Sequence, residues 1–581
     1  MKQDWWDSIT LVEGFLEKLD WRIRENANMT YSLQAMNFFV SAEITKRYWL
    51  SKVYSKEAAK MHMDGFFHIH DMGTLSTYCV GWDFADLIKT GLTGVPGKVD
   101  SRPAKHYRAI LGQSVNFMYT LQGEAAGAQA FSDFDILLAP FVRADKLEYE
   151  EVKQGMQEFV YNMNVPTRVG FQTPFTNITM DVTIPSFYKE APVVLGGKET
   201  GEVYGDYADE IDTINKAFVE VMTEGDAKGR PFTFPIPTYN ISKDWDWGGD
   251  ISHMIMEMTA KYGTPYFANF VNSDLQPDDV RSMCCRLRLD TRELRKRNGG
   301  LFASAPLTGS IGVVTLNMGR IGYLSKEESQ FMAYVDDLMR VAKETLMVKR
   351  DFLEKMTTKG LYPYSKFYLR QVKELEGKYW SHHFNTIGLI GMSEGLLNFM
   401  GEDISTPDGK RFAEKVLDRM LENLKQFQDE LGVIFNLEAT PGEGTTYRFA
   451  KLDRRQFGKD IILAGKSAPY YTNSTWLPVD HTGDVFDLFE HQESLQRRYT
   501  GGTVIHTWLG EAAEPSAVES LVRKAVTNFS SPYYTITPTY SICPVHGHIA
   551  GKYDYCPYSH AASALTQAGL MKDTGLAKFN I

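Results

Sequence analysis

The sequence predicts an α/β fold, built as a barrel or as one large sheet, because amphipathic helices alternate with short apolar runs along most of the chain. The apolar run 311–317 is typical of a buried strand. A capping-box motif, Ser325-x-x-Glu328, opens a helical pattern that continues to about Met356. A second amphipathic helix covers 412–431 and is expected to end at Gly432. Periodicity alone does not separate a barrel from an open sheet.

Composition narrows the class of protein. The chain has 581 residues, 43% hydrophobic and 23% charged, as in ordinary folded proteins. No apolar run approaches the ~18 residues of a membrane-spanning helix, and the start lacks the features of a signal peptide, so the sequence predicts a cytoplasmic protein without membrane contact. With 62 Lys and Arg against 73 Asp and Glu, the net charge of -11 argues against a nucleic-acid polymer as partner. Single nucleotides remain possible, because helix N-termini can hold a phosphate.

The chain carries five cysteines, an odd and sparse set that does not make a secreted disulfide framework. Two of them lie in a C-terminal segment with the spacing of a zinc site. We predict the ligands Cys543, His546, Cys556 and His560, with His548 as the alternative fourth ligand. The competing interpretation is a loose tail with two exposed cysteines. The predicted division is one large domain over 1–535 and a zinc-binding segment over 536–581.

Other candidate site residues lie in the large domain. His68 and His70 flank an isoleucine in a short apolar run, so the two imidazoles are expected on one strand face. They are either structural histidines or part of a site. Cys79 lies nearby and is either a small buried hydrophobic residue or a reactive thiol. In an extended segment the adjacent Cys284 and Cys285 point to opposite faces, so one of the two thiols is expected to work with Cys79.

Ten sequence blocks, in order along most of the chain, resemble the anaerobic, class III ribonucleotide reductases, which are glycyl-radical enzymes. The blocks are Arg24-Glu-Asn-Ala-Asn28, Gly65-Phe-Phe-His-Ile-His-Asp71, Gly123-Glu-Ala-Ala-Gly-Ala-Gln129, Gln172-Thr-Pro-Phe-Thr-Asn177, Phe232-Thr-Phe-Pro-Ile-Pro-Thr-Tyr-Asn240, Gly388-Leu-Ile-Gly-Met392, Asn436-Leu-Glu-Ala-Thr-Pro441, Tyr471-Thr-Asn-Ser-Thr-Trp-Leu-Pro-Val479, Thr500-Gly-Gly-Thr503 and Thr535-Ile-Thr-Pro-Thr-Tyr-Ser-Ile-Cys-Pro544. The resemblance implies a ten-stranded α/β barrel whose inner finger loop carries a thiyl-radical cysteine. It implies anaerobic reduction of ribonucleoside triphosphates to deoxyribonucleoside triphosphates.

The resemblance also assigns residues. Cys285 matches the radical cysteine, which takes the 3′ hydrogen of the ribose, and Cys79 matches its partner, which gives a proton to the leaving 2′ hydroxyl. Cys284 stands where the family usually has glycine. Asn317 matches an asparagine beside the ribose or the reductant. His68 and His70 are expected to bind substrate, and Asn473, Ser474 and Thr475 form a loop suited to its phosphates.

The sequence departs from the family at both ends. The Arg-Val-x-Gly-Tyr motif that carries the radical glycine is not found before Ile581, and the core motifs begin too early for an N-terminal ATP-cone. The tail is therefore expected on a second polypeptide, or on a longer form of this chain, or the protein is a homologue without this radical route. The alternatives in function are a catalytically inactive nucleotide-binding protein and a related radical enzyme with another substrate.

The resemblance implies further components. It implies structural zinc, a glycyl radical installed by a radical S-adenosylmethionine activating enzyme, and nucleotide effectors (ATP and dNTP). A homodimer is expected, and the reductant is either formate or a thioredoxin- or glutaredoxin-like dithiol.

Overall fold

The computed structural model describes residues 8–17, 30–272, 307–440, 442–465, 468–478, 481, 483–543 and 545–567, together with the backbone of 280–282 and 288–290. Cys284 and Cys285 lie outside the described residues, as does most of the expected finger loop. The short strands on either side of 283–287 pair with each other in antiparallel register, and the first of them contacts the barrel strand Thr176–Met180.

The strands of the described residues are numbered in chain order. They are β1 (Phe67–Ile69), β2 (Cys79–Trp82), β3 (Gln129–Phe131), β4 (Thr176–Met180), β5 (Pro192–Leu195), β6 (Lys198–Val203), β7 (Ile236–Ile241), β8 (Tyr266–Asn269), β9 (Val280–Ser282), β10 (Arg288–Asp290), β11 (Gly309–Asn317), β12 (His383–Ile390), β13 (Phe435–Glu438), β14 (Ile505–Leu509), β15 (Tyr533–Pro538), β16 (Tyr540–Cys543) and β17 (Gly547–Ala550).

The helices are α1 (Ser8–Leu16), α2 (Leu33–Tyr48), α3 (Lys56–Asp64), α4 (Phe84–Thr90), α5 (Tyr107–Leu121), α6 (Phe134–Asp145), α7 (Tyr149–Met163), α8 (Ser186–Lys189), α9 (Ala208–Glu224), α10 (Asp250–Tyr262), α11 (Met318–Leu324), α12 (Glu328–Lys359), α13 (Pro363–Tyr368), α14 (Arg370–Glu376), α15 (Met392–Met400), α16 (Pro407–Leu431), α17 (Glu443–Phe457), α18 (Val485–Gln496), α19 (Pro515–Asn528) and α20 (Ala562–Gln567). A π-helical turn covers Trp49–Val53, and a 3₁₀ turn covers Tyr204–Asp206. None of the helices in the described part of the chain combines the length and the apolar character needed to cross a bilayer.

Ten strands form a ring in two parallel halves. The first half is β2-β3-β4-β7-β8 and the second is β11-β12-β13 followed by β14-β15; the halves meet in antiparallel register at β2-β11 and at β8-β15. The ring closes where β13 meets the segment before β14. There the Ala439 amide donates to the Gly502 carbonyl at 2.8 Å, and the Gly501 amide donates to the Leu437 carbonyl at 2.7 Å. The predicted ten-stranded barrel is confirmed.

Strand alternation separates the inner wall of the barrel from its outer layer. In β12, Ile387 and Leu389 pack into a large apolar cluster with helices α12 and α16, so Thr386 and Gly388 face inward. Phe384 shares that inward face and packs with Cys79, Ala128 and Ala130 in a small inner cluster, while the two large apolar clusters lie between sheet and helices. The last barrel strand, β15, ends at Pro538, beyond the predicted domain boundary at 535.

Two of the local predictions are confirmed and one is wrong. The predicted strand 311–317 forms all but the first two residues of β11. Helix α16 ends where Gly432 adopts a left-handed conformation, as predicted. The predicted capping box at Ser325 is wrong, because the helix begins at Glu328. The Ser325 hydroxyl instead donates to the Ile321 carbonyl, at 2.7 Å, in the preceding helix α11.

The barrel ends differ in their loops. The carboxyl ends of the first-half strands β2, β3 and β4 are followed by Asp83, Asp133 and Asp181. Burial raises the pKa of Asp83 to about 6, and the nearby Asp86 and Asp133 contribute to that rise. At the opposite end of the barrel lie β1, which pairs with β11, and the carboxyl ends of the second-half strands.

Candidate active site

Cys79 lies at the start of β2, on the inner wall of the barrel. Its Cα is paired with that of Ser310 across the antiparallel junction between the two halves. The thiol is 1% exposed, and its sulfur accepts the Ala128 amide at 3.3 Å. A Cβ atom at Gly127 would stand 2.7 Å from that sulfur, so only glycine leaves room for the thiol. The sequence therefore places a confined thiol inside the barrel.

His68 and His70 share the inner face of β1, as the alternation predicts. Their ring centroids lie 4.6 Å apart, and the His70 Nε2 is 2.8 Å from the Thr315 hydroxyl on β11. The Thr315 hydroxyl in turn lies 3.0 Å from the Thr440 hydroxyl beyond β13. An additional buried histidine, His62, accepts the Ile69 amide at its Nδ1 and fixes the strand to α3.

The two imidazoles are held neutral. Burial lowers the pKa of His68 well below its usual value, and it lowers the pKa of His70 to about 3, with the Lys349 and Arg448 charges adding to the shift. Neutral imidazoles can orient a hydroxyl group by hydrogen bonding but supply no positive charge near pH 7. The pair therefore suits contacts to a sugar better than contacts to phosphate.

Asn317 has its hydrogen bonds within the protein. It caps α11 by accepting the Arg320 amide, and its own amide group donates to the Gly65 carbonyl at 3.0 Å and to the Asp453 carboxylate at 2.9 Å. Both amide hydrogens are thereby used, so a contact to ribose through them needs one of these bonds to break. The catalytic role stays a prediction, and the contacts show a structural one. Sequence reasoning missed the fully buried Arg320–Asp453 ion pair beside it.

The loop 471–475 lies against the N-terminus of α15. The Gly391 amide donates to the Thr472 carbonyl at 2.8 Å, and the Thr472 hydroxyl donates to the Glu394 carboxylate at 2.6 Å. Ser474 adopts a left-handed conformation, and within the described part of the chain its buried hydroxyl has no partner. The Thr475 hydroxyl is 2.9 Å from the Tyr499 hydroxyl. Ser474 thus offers an unpaired hydroxyl, and the Asn473 Oδ1 is also without a partner among the described residues.

Four side chains of the C-terminal hairpin region converge as predicted. The ligand atoms of Cys543, His546, Cys556 and His560 all lie within 4.8 Å of one another. Two thiols and two imidazoles are a donor set that zinc prefers, so these residues fit the metal. The alternative ligand, His548, lies elsewhere, because its Nε2 is bonded to the Lys261 carbonyl of α10 at 2.8 Å.

Comparison with known proteins identifies the family. A family model described as anaerobic ribonucleoside-triphosphate reductase matches residues 25–567. The chain belongs to this family. It is 23% identical to the anaerobic ribonucleoside-triphosphate reductase of Haemophilus influenzae, over 85% of this chain and 71% of that protein. It is 24% identical to the reductase of the same name from Enterobacteria phage T4, over 86% of this chain and 83% of that protein.

Solved structures of anaerobic ribonucleotide reductases share the fold. The Thermotoga maritima enzyme with dATP bound in the specificity site aligns with a TM-score of 0.73 at 20% identity, over 94% of this chain and 90% of that chain. Another anaerobic ribonucleotide reductase aligns with a TM-score of 0.76 at 22% identity, over 95% and 87% of the two chains. The predicted resemblance to the anaerobic ribonucleotide reductases is confirmed.

Lys349 is a residue of this reductase that sequence reasoning overlooked. It projects from α12 beside Arg350, between Leu346 and Leu353 of the buried helix face. The charged pair within an apolar stripe was the available signal, because lysine is almost never fully buried without a partner. Lys349 is 2% exposed and lowers the pKa of His70, so it belongs to the surroundings of the site.

Proposed function

We propose that this chain reduces ribonucleoside triphosphates to deoxyribonucleoside triphosphates under anaerobic conditions, by thiyl-radical chemistry inside the barrel. The observation that carries the proposal is the place of Cys79, a buried thiol on the inner wall beside the junction of the two barrel halves. An enclosed interior protects a radical from solvent and from side reactions. Membership of the reductase family supplies the reaction class.

The proposed division of labour has two cysteines. The thiyl radical of Cys285 takes the 3′ hydrogen of the substrate, and Cys79 gives its proton to the leaving 2′ hydroxyl, which departs as water. Cys285 then returns a hydrogen atom to the 3′ carbon. Two electrons are needed for each deoxyribonucleotide, and formate or a thioredoxin- or glutaredoxin-like dithiol supplies them.

Substrate binding is assigned to the end of the barrel at which the second-half strands have their carboxyl ends. The neutral His68 and His70 are suited to orient the ribose hydroxyls. Asn473, Ser474 and Thr475 would face the phosphates, where Ser474 offers its hydroxyl and the N-terminus of α15 adds the favourable end of a helix dipole. We place Asn317 behind this site as the residue that fixes the start of α11.

Other components follow from the family. Zinc held by Cys543, His546, Cys556 and His560 would cross-link the C-terminal hairpin, which has little apolar core of its own. A glycyl radical, installed by a radical S-adenosylmethionine enzyme, would generate the Cys285 radical. Nucleotide effectors, a homodimer and a cytoplasmic location complete the proposal.

The test is product formation by the full chain under anaerobic conditions. The protein is incubated with an activating enzyme, S-adenosylmethionine, each ribonucleoside triphosphate in turn, and either formate or a reduced dithiol protein. Wild type is expected to form deoxyribonucleotide, and Cys79→Ser and Cys79→Ala are expected to lose at least about 1,000-fold in rate, since a required proton donor is removed. Both variants should retain nucleotide binding and the urea midpoint of wild type. Full turnover by either variant contradicts the proposal, and nucleotide binding without product in wild type favours the binding-only alternative.

A further inference from the structure

Asn436 is a fully buried asparagine of β13 whose side-chain amide has no partner. Neither its Oδ1 nor its Nδ2 forms a hydrogen bond within the part of the chain that the structure describes. An amide in this position has given up the bonds of one acceptor and two donor hydrogens with water, and that loss is costly. Folding stability therefore does not explain an asparagine here.

Strand alternation directs the Asn436 amide into the barrel. The residues directly before and after it pack into the apolar cluster between the sheet and helices α12 and α16, so Asn436 faces inward. Its Cα is paired with that of Thr386, which also faces inward on β12. The Thr386 hydroxyl is 2.7 Å from the Ser310 hydroxyl, and Ser310 is the strand partner of Cys79. Two hydroxyls and an amide without a partner thus follow the thiol along the inner wall.

Along the chain, Asn436 lies between residues that contact the thiol and residues that reach the histidines. Ile434, two residues earlier, packs with Cys79 in the small inner cluster. At ~3.3 Å per residue, the amide is about 7 Å from the level of Ile434. Thr440, four residues later, belongs to the hydrogen-bonded hydroxyl chain that ends at His70. A ribose held between Cys79 and His70 would therefore lie against Asn436.

The backbone beside β13 leaves room for this amide. Where the barrel closes, the Gly501 amide donates to the Leu437 carbonyl at 2.7 Å. A Cβ atom at Gly501 would stand 2.5 Å from the Asn436 Cγ and 2.8 Å from both Oδ1 and Nδ2. Gly501 is not among the residues with a positive φ, so its backbone conformation does not require glycine. The need for glycine comes from the side-chain amide.

We propose that Asn436 binds the 2′ and 3′ hydroxyls of the substrate ribose and thereby distinguishes a ribonucleotide from its deoxyribonucleotide product. A carboxamide presents an acceptor beside a donor, so one hydroxyl can donate to Oδ1 while the neighbouring hydroxyl accepts from Nδ2. The contacts are compatible with those of His68 and His70, because a hydroxyl forms more than one hydrogen bond. The inference rests on the proposed function for the identity of the substrate.

The consequence is weaker binding of the product. Once the 2′ hydroxyl has left as water, part of the buried amide is again without a partner. A site that hydrogen-bonds a hydroxyl rejects an analogue that lacks it, because the polar group of the site then stays unpaired. Asn436 therefore favours exchange of deoxyribonucleotide for a new ribonucleotide.

The test measures binding in the full chain without turnover. Calorimetry gives the affinities of CTP, 2′-deoxy-CTP and 3′-deoxy-CTP, with dATP held at saturation to occupy the proposed effector site. Wild type is expected to bind CTP about 10-fold more tightly than either analogue, since each analogue leaves one buried hydrogen-bonding group unpaired. Asn436→Leu, which keeps the size of the side chain, is expected to reduce both preferences to about 2-fold or less.

Two more variants separate binding from packing. Gly501→Ala retains Asn436 but displaces its amide, and it is expected to lose the same preferences. Asn385→Leu is the matched control, because Asn385 is equally buried on β12 and its amide donates to the Ile434 carbonyl at 3.1 Å. This control is expected to keep the preference for CTP and to lower the urea midpoint, since it leaves a buried carbonyl without that bond. Asn436→Leu is expected to unfold at or above the urea midpoint of wild type.

The outcomes decide between the inference and the proposed function. An unchanged preference for CTP in Asn436→Leu, or in Gly501→Ala if the leucine variant does not fold, overturns the inference even when wild type forms deoxyribonucleotide. A urea midpoint of Asn436→Leu as low as that of Asn385→Leu also overturns it, because Asn436 would then be structural. A wild type that forms no product, yet shows the preference and its loss in the variants, refutes the proposed function alone.

Discussion

Replacing Arg320 by methionine tests the buried ion pair behind the candidate site. Both side chains of the Arg320–Asp453 pair are fully buried. The Asp453 carboxylate accepts the Arg320 Nε at 2.7 Å, the Tyr471 hydroxyl at 2.7 Å and the Asn317 amide at 2.9 Å. Without arginine, two neutral donors remain for a buried carboxylate. Breaking a buried pair in this way destabilises proteins by about 3–5 kcal/mol, and that is the expected loss in the free energy of unfolding.

The loss is expected to depend on pH. Burial raises the pKa of Asp453 while Arg320 lowers it, so the variant raises the pKa further. A carboxyl group with a raised pKa in the folded state contributes stability below its unfolded pKa, and this is lost as the pH rises through the folded pKa. The variant should therefore lose more stability at pH 8 than at pH 5.

Urea unfolding at both pH values provides the measurement. Arg340→Met is the matched control, because Arg340 pairs with Glu57 at 3.0 Å on the surface and is expected to contribute less than about 1 kcal/mol. Addition of Asp453→Asn to Arg320→Met should recover about 2 kcal/mol by removing the unpaired charge. A loss below about 1 kcal/mol, or no recovery in the double variant, would refute the assignment of a buried charge pair.

Three further expectations concern the metal site, the histidines and the inner wall. His560→Ala should reduce zinc from about one ion per chain to near zero, whereas His548→Ala should retain it, and mass spectrometry for metals distinguishes the two. The pKa of His70 is about 3 in the folded state and ~6.5 in the unfolded state, so stability that is present above pH 6.5 is lost on acidification. The free energy of unfolding should therefore differ between pH 7.5 and pH 5, and His70→Gln should reduce that difference by up to about 2 kcal/mol. An equal difference in wild type and variant, measured by urea unfolding, would count against this. Gly388→Ala should cost about 1–3 kcal/mol because its Cβ would overlap the Thr440 hydroxyl, and Thr440→Ala should restore part of it; additive losses would contradict the overlap.

Periodic patterns and motif spacing were sufficient for several features. The alternation about Ile69 predicted that His68 and His70 share a face, and their rings are in contact. The cysteine and histidine spacing predicted the metal cluster but left the fourth ligand open between His560 and His548. Only tertiary structure separates these two, because the hairpin turns His548 toward α10.

Other features depended on contacts distant in sequence. Ser325 matched a capping motif, yet its hydroxyl bonds to the preceding helix, a competition that the motif does not encode. Asn317 matched a site residue, while its partner Asp453 lies far along the chain. Lys349 lies in the apolar stripe of α12 and was overlooked, since Gly312, the glycine that leaves room for its side chain, belongs to β11. In each case the partner, rather than the residue type, decides the role.

The antiparallel arrangement of the two barrel halves has a consequence for mutational tolerance. His68 pairs with Thr315 toward the carboxyl end of β11, and the 471–475 loop lies against the helix that follows β12, whereas Cys79 pairs with Ser310 near the amino end of β11. The loops that begin at Asp83, Asp133 and Asp181 leave from the end of the barrel opposite to the β1 histidines. We expect variation in length or sequence at those loops to leave the β1 histidines and the 471–475 loop in place. The two ends of this barrel can therefore vary independently, both in natural sequences and in engineered variants.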